Sequence, residues 1–422
     1  MLGDSPKMSR LKNKRLLLIS HHNSYRIAPY IKAAKNLGLS VTIASQGKHS
    51  LVTEVANGIH INFDDVDSAL DEIVKENNNT AFAGILGSDD QTVELAAYAA
   101  KALNLPHNPP QAALYSHRKD LARAELALSG CPVPIHCLLN LHQPVEKQIA
   151  GLPWPCVVKP LNMSASRGVI RANNEHEFLA ACERLRPILA TSQGELEQSH
   201  VLIEEYIHGI EIAYEGFLQN SVLETITIFD KPDPLIGPYF AETIYVTPST
   251  LSKKLQQSIK EVIQKACTVY GLTTGAIHAE CRIDKNDNIW ILEIASRTIG
   301  GDCGRILDNE QSGIEELAIS LAIDQPVKFN MPEQARGVMM IPVKEKGLLK
   351  RVEGLLEANK VNHIDKIDII ISQGHELVPL PEGNQYLGYI FASADTPEQV
   401  TSAIRQAYAK LKFIAAPVFN IV

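Results

Sequence analysis

From residue 14 to about residue 118, short apolar runs alternate with stretches whose apolar positions recur every three or four residues. Lys14–Ser20 (KRLLLIS), Ser40–Ser45 (SVTIAS) and Ala81–Gly87 (AFAGILG) read as buried strands, whereas Arg26–Leu37 and the alanine-rich Gln91–Leu103 carry the helical period. Strand–helix alternation of this kind predicts a parallel α/β sheet. The prolines of Leu105-Pro106-His107-Asn108-Pro109-Pro110 then interrupt the pattern and mark a boundary. A helix follows over Ser116–Leu128, bearing Arg118, Lys119 and Arg123 and ending at Gly130.

Residues 151 to about 215 give strand, loop, strand, helix and strand, and the 220s to 240s give antiparallel strands. Leu251–Tyr270 is an amphipathic helix, and Gly275–Glu293 a hairpin turning at Asp284–Asn288. A helix over Ile314–Ile323 closes this part at Pro326, and residues 327–422 form a small α+β unit with a terminal helix over Pro397–Leu411. The expected division is a disordered tail over 1–13, with Met8 a second candidate start, then domains at 14–115, 116–326 and 327–422.

Composition adds exclusions. With 422 residues, 45% hydrophobic and 21% charged, the chain has room for two or three soluble globular domains. A net charge of −8 lacks the basic footprint of a nucleic-acid binder. No apolar run has the length of a membrane span, and Leu16–Ile19 is too short for a signal-peptide core. Seven scattered cysteines without a CxxC pair read as reduced core thiols in a cytoplasm.

The chemistry concentrates at strand ends. Glu280 ends the run Gly275–Ala279, and Glu293 ends Ile289–Leu292, followed by Arg297 and the pair Gly300-Gly301. Two hard oxygen ligands on neighbouring strands suit Mg²⁺ when phosphate oxygens complete its shell, and an arginine beside them suits a developing negative charge. Lys159 ends Val157-Val158 and precedes the small-residue loop Asn162–Val169, where backbone N–H groups and the hydroxyls of Ser164 and Ser166 can cover phosphates. Val201–Glu211 runs through a short linker whose backbone can meet an adenine edge. Taken singly, each piece has a plain alternative: an edge lysine, an ordinary hairpin, or surface carboxylates paired with Arg282 or Arg297. His21-His22 is a polar loop rather than a metal pair, and the turn after the first strand lacks G-x-G-x-x-G, so no dinucleotide site is expected. Asp89 and Asp90 stand either as ligand contacts at a strand end or as helix caps.

In this order the pieces closely resemble the ATP-grasp superfamily over nearly the whole chain. The resemblance implies a three-domain α/β and α+β architecture: a pre-ATP-grasp parallel α/β domain, a two-part ATP-grasp domain and a small C-terminal α+β domain. It implies ATP and Mg²⁺ (or Mn²⁺) as cofactors. Lys119 and Lys159 would be the phosphate lysines, Ser164–Gly168 the flexible phosphate loop, Glu204, Glu205 and Ile207 part of the adenine hinge, and Glu211 the ribose carboxylate. Glu280 and Glu293 would hold the metal, and Arg297 would steady the acyl-phosphate and tetrahedral species. Many members have Glu-x-Asn-x-Arg in the last motif. Ala295 stands here in place of asparagine, as in the L-amino acid ligase and carnosine-synthase-like branch. Glu242 matches that branch's substrate glutamate, but Tyr245 replaces its histidine. His278 and Arg305 are further substrate-contact candidates, Arg305 for a carboxylate.

The implied activity is a carboxylate–amine ligase acting through an acyl phosphate on small-molecule substrates, one of them an amino acid, with no nucleic acid or membrane partner; homodimers are common in the family. Two other readings stand: activation of bicarbonate, as in biotin carboxylase and its purine-biosynthesis relatives, and a non-catalytic ATP-binding regulator.

Overall fold

The computed structural model describes residues 14–22, 24–46, 57–309 and 313–418; the expected tail over 1–13 lies outside them. The first unit is a four-stranded parallel sheet of β1 (Arg15–Ile19), β2 (Ser40–Ser45), β3 (Asn57–His60) and β4 (Phe82–Gly87), in the order β3-β2-β1-β4. The strands expected from the apolar runs form with nearly the same bounds. The exception is β3, Asn57-Gly58-Ile59-His60, exposed but for the half-buried Ile59, which has no apolar run to betray it. Helices α1 (Ile27–Asn36), α2 (Val66–Asn79) and α3 (Val93–Ala102) accompany the sheet.

Its second covering layer comes from far along the chain. The helix Ile314–Ala322 packs Ala318, Ile319 and the following Ile323 against Leu16, Leu18, Ile27 and Tyr30. Gly84 of β4 permits the approach: a Cβ there would lie 2.6 Å from the Ala322 carbonyl oxygen. The helix that the pattern placed at the end of the second domain thus completes the core of the first.

After α4 (Lys119–Leu128), a small subdomain carries the antiparallel sheet β5 (His136–Asn140), β6 (Cys156–Pro160), β7 (Ile170–Ala172) and β8 (His200–Glu205), ordered β5-β8-β6-β7. The helix α5 (Glu175–Leu189) covers it, burying Phe178, Ala181, Cys182, Leu185 and Leu189.

The large subdomain rests on β9 (Ile210–Gln219), β10 (Val222–Asp230), β11 (Ile244–Thr247), β12 (Gly275–Ile283) and β13 (Ile289–Ala295). Alternation in β9 sends Ile212, Tyr214 and Leu218 to one core and Ala213 and Phe217 to the other. The first core is closed by α6 (Lys253–Tyr270), whose Ile259, Ile263, Ala266, Cys267 and Tyr270 follow the helical period. Ser252 accepts the Leu255 N–H to begin α6, a cap contributing about 1 kcal/mol. Gly271 ends it at φ +78°.

The C-terminal unit does not build a separate main sheet. Its β14 (Ala335–Pro342), β15 (Ile364–Ile369) and β16 (Tyr386–Ala394) extend the large subdomain into one eight-stranded sheet, because β14 pairs with β11 from Ile244↔Met339 to Thr247↔Arg336. The strand pairing therefore crosses the expected division at 326/327. A three-stranded sheet, Glu376–Leu377, Gly347–Glu353 and Lys412–Ala416, and the helix α7 (Pro397–Tyr408) complete the fold.

Candidate functional site

A cavity of about 800 Å³ lies where these units meet. Lys119, Lys159, Ser164, Ser166, Glu204, Glu205, Ile207, Glu211, Glu242, His278, Glu280, Glu293 and Arg297 all line it. Arg305 is not among its lining residues. Its guanidinium donates to Asp302 at 2.8 Å and to Asp368 at 3.0 Å and covers the Phe391 ring, so neighbouring acids and an aromatic face already occupy the group proposed for a substrate carboxylate.

One face of the sheet supplies the floor. In β9 and β12 the period of two puts Glu211 and Glu215 on the same face as His278, Glu280 and Arg282. Register then sets them opposite: Glu211 faces Arg282, Glu215 faces His278, and on the other side of β12 Glu280 faces Glu293 of β13. Arg282 donates from Nε to Glu211 at 2.9 Å, and His278 Nδ1 is in close contact with Glu215. Burial raises the pKa of Glu215; that of His278 is also raised, because Glu215 outweighs the burial that opposes its charge. The second Glu215 oxygen accepts the Ile299 N–H at 3.2 Å, tying the floor to the loop after Arg297.

Lys231, which the sequence reading did not single out, sits at the centre. Its ammonium donates to Glu211 at 2.8 Å, Glu242 at 3.0 Å and Glu280 at 2.8 Å. Burial opposes its charge, yet the three carboxylates hold its pKa well above the ordinary lysine value. Burial pushes Glu242 up to about 7, against Lys231 and with help from Glu280. Glu280, despite burial, is held far below the usual carboxylate range by Lys231 and His278. Tyr245, in the histidine's place, lies under the Lys231 ammonium with its ring centre 4.9 Å away.

A second buried knot lies at the small subdomain. Glu204 is 1% exposed; it accepts from Arg123 Nε at 2.5 Å and from Lys159 Nζ at 2.5 Å. Burial favours its neutral form, but Arg123 and Lys159 hold its pKa down at about 2. Arg123 also donates to the Ile291 and Leu292 carbonyls, joining β8 to β13. Glu204 thus fixes the end of Lys159, while Tyr206, Phe240 and Leu235 wall the space beside it. Lys119 reaches Glu293 at 3.4 Å and donates to the Met163 carbonyl at 2.9 Å, holding the start of the 164–168 loop.

The first domain supplies the remaining wall. Asp90 accepts from Arg297 Nε at 2.6 Å and Nη2 at 2.7 Å, a bidentate pair. This resolves the alternatives for Asp90: it faces the cavity arginine, while Asp89 takes the contacts to Thr92 at the helix start. Arg26 donates to Thr298 Oγ1 at 2.9 Å and to the Ile299 carbonyl at 2.7 Å. Of the three arginines lining the cavity, Arg282 and Arg297 face carboxylates and Arg26 faces neutral oxygens among the described residues.

This layout of subdomains agrees with the family comparisons. Residues 152–306 match the ATP-grasp domain, residues 31–107 the ATP-grasp N-terminal domain, and residues 339–416 the L-amino acid ligase C-terminal domain 2. The chain belongs to the ATP-grasp superfamily. This ATP-grasp chain superimposes on an L-amino acid ligase from Bacillus licheniformis with a TM-score of 0.80 at 22% identity, covering 96% of this chain and 99% of that one. It also superimposes on an N5-carboxyaminoimidazole ribonucleotide synthetase from Thermotoga maritima, with a TM-score of 0.69 at 16% identity and 96% and 100% coverage. Both likenesses concern the fold. In sequence it is 26% identical over 250 residues to the alanine–anticapsin ligase of Bacillus amyloliquefaciens, 56% of this chain and 52% of that protein. It is 28% identical over 171 residues to the D-alanine–D-alanine ligase of Pseudomonas entomophila (strain L48), 39% and 49% respectively. The chain spans about half the length of these two relatives.

Proposed function

We propose that this ATP-grasp chain is an ATP- and Mg²⁺-dependent (or Mn²⁺-dependent) carboxylate–amine ligase that forms an amide or peptide bond, with an amino acid as one substrate. One observation carries the reading: Glu280 and Glu293 are cross-strand partners on the floor of a cavity whose walls also hold Lys119, Lys159, Ser164, Ser166 and Arg297. The donor set fits a hard divalent cation. Lys231 takes Oε1 of Glu280 and Lys119 approaches Oε2 of Glu293, so each carboxylate has a second oxygen to offer. When bound, the cation neutralises charge building on the transferred phosphate.

The chain's own residues do the rest. Lys119 and Lys159 enter from two subdomains as point charges for phosphate oxygens. Both arrive held, Lys159 by Glu204 and Lys119 by the Met163 carbonyl and Glu293, so little ordering remains when nucleotide binds. Beside the adenine hinge at Glu205 and Ile207, Tyr206 and Phe240 offer aromatic surface to a base, and Glu211 stands near for a ribose hydroxyl. The substrate carboxylate would attack the γ-phosphate, breaking its bond to the β-phosphate oxygen and releasing ADP, to give an acyl phosphate; the amine would then attack the acyl carbon, losing a proton and expelling inorganic phosphate. Arg297, aligned by Asp90, is placed to stabilise the oxyanion of that second step. Arg26 would receive a substrate carboxylate, since an incoming anion supplies the direct carboxylate contact that no described residue gives this buried guanidinium. Glu242 would take the ammonium group.

A cytoplasmic site of action fits the free cysteines, of which Cys137 alone is exposed. Among the described residues no helix is long and apolar enough to cross a membrane.

The experiment is a screen of amino acid pairs for ATP-dependent phosphate release, with and without bicarbonate, on the wild type and Glu293→Gln. The reading expects release that requires both an acid and an amine, and its loss in a folded Glu293→Gln protein. Release that needs bicarbonate instead, or full turnover in the variant, would overturn it.

A further inference from the structure

The loop over residues 164–168, flexible by the family resemblance, contributes Ser164 and Ser166 to the cavity wall, and its partners lie in the C-terminal unit. The Gly168 N–H donates to the Pro381 carbonyl at 2.9 Å, and Arg167 Nε donates to the Glu382 carbonyl at 3.0 Å. The Glu382 carboxylate in turn accepts from Arg184 of α5 through Nε at 2.6 Å and Nη2 at 2.9 Å. Arg184 covers the Tyr239 ring, with 4.9 Å from its guanidinium carbon to the ring centre. Only glycine fits the loop at this point. Gly168 has φ +73°, and a Cβ on it would lie 2.6 Å from the Pro160 side chain. The segment that receives the loop is itself a tight turn: Gly383 N–H donates to Pro379 at 2.9 Å, and a Cβ on Gly383 would strike the Val378 carbonyl at 1.8 Å. Immediately after this turn, Asn384, Gln385 and Tyr386 line the cavity.

We propose that Glu382, with the Pro381 carbonyl beside it, positions the phosphate loop of the small subdomain, so that loop closure over the nucleotide is completed by the C-terminal unit. The proposal rests on the ATP-grasp ligase reading for what the loop covers. Arg184 and Glu382 are about two-fifths exposed, 41% and 40%, so their pair adds little to global stability. Its place decides its effect. The pair joins the two bodies that must separate to admit nucleotide and stay together while a water-sensitive acyl phosphate exists. An interaction too weak to matter to folding is strong enough to bias such an equilibrium severalfold.

Three proteins test this: Glu382→Ala, Arg184→Ala and the charge exchange Arg184→Glu/Glu382→Arg. Trypsin cleavage after Arg167 reports the loop without any catalysis, and titration with MgATP reports binding without an acid or amine. Each alanine variant should melt as the wild type does, be cleaved at Arg167 roughly two- to fivefold faster, and bind MgATP weaker by a similar factor, the scale expected for one such exposed pair. In the ligase reaction the ratio of phosphate released to amide formed should rise above one, and the charge exchange should bring all three readouts back toward wild type. Wild-type cleavage and MgATP affinity in both alanine variants would overturn the positioning role. Altered cleavage and affinity with no acid–amine pair turning over would leave that role standing and defeat the ligase reading instead.

Discussion

Glu204→Gln is the sharpest test of how the cavity is built. The carboxylate is buried between Arg123 and Lys159, and its pKa of about 2 lies below the ordinary value of 4.5. Through linkage that difference amounts to about 3 kcal/mol of folding free energy at neutral pH. The folded value is the lower one, so the contribution is complete above pH 4.5 and drains away as pH falls toward 2; at pH 3 about 1 kcal/mol remains. Glutamine keeps the shape, removes the charge and leaves two cations side by side in a buried site, a loss on the order of 3–5 kcal/mol for a broken buried pair. Trp154 packs edge-on against Phe178 in the same subdomain, so its emission reports local unfolding once Trp290 is replaced by Phe. Urea titrations in that background should show the variant about 3 kcal/mol less stable at pH 7, with the gap narrowing at pH 3. A variant within about 0.5 kcal/mol of its parent at pH 7, or a gap that does not shrink in acid, would refute the assignment of Glu204 as the counter-charge.

Other outcomes follow from the same bookkeeping. Burial and the nearby Asp308 push Glu315 up to about 7; its stabilising proton is held below pH 4.5 and lost as pH rises through 7, so Glu315→Gln should be up to about 2–3 kcal/mol more stable than wild type at pH 8 and indistinguishable at pH 4 by thermal melts. Asp90→Asn frees the Arg297 guanidinium from its bidentate partner; kcat for amide formation should fall roughly 10–100-fold with little change in MgATP affinity, measured by coupled ADP release. Arg26→Met should raise KM for the substrate whose carboxylate it holds by roughly tenfold or more while leaving KM for ATP alone; equal effects on both would argue for a purely structural arginine.

Much of the site could be read along the chain because Lys159, Glu204, Glu205 and Glu211 stand near strand ends, whereas Glu280, expected to end its strand, lies in the middle of β12, which runs on to Ile283. The hairpin carrying Glu280 and Glu293 announces itself by two apolar runs and a polar turn, and it forms as β12 and β13. Register is what a single sequence withholds. Glu215 reads as one polar position in an apolar strand, and only its placement opposite His278 shows what it contacts. The C-terminal unit reads as α+β whether its strands close a sheet of their own or extend another. The decision rests with β11, a four-residue strand bridging β10 and β14. Arg305 shows the converse. Glycines around a basic residue suggest an anion site, but Asp368, contributed by β15 of the C-terminal unit, neutralises it.

Lys231 sets the limit of such reading. Its acidic partners lie 20, 11 and 49 residues away in the chain, in β9, in the segment before β11 and in β12, and nothing local distinguishes Asp230-Lys231-Pro232 from any polar turn. Once folded, its ammonium is the common counter-charge of Glu211, Glu242 and Glu280, three carboxylates that could otherwise gather around a metal ion. Without it, their mutual repulsion in a buried site would protonate or separate them. With it, Glu280 stays ionised, while burial pushes Glu242 up to about 7. A single lysine can therefore hold the floor of the cavity together while two of its acids divide, Glu280 held below the ordinary carboxylate range and Glu242 pushed above it. That division follows from which strands bring the carboxylates to it, not from the residues beside it in the sequence.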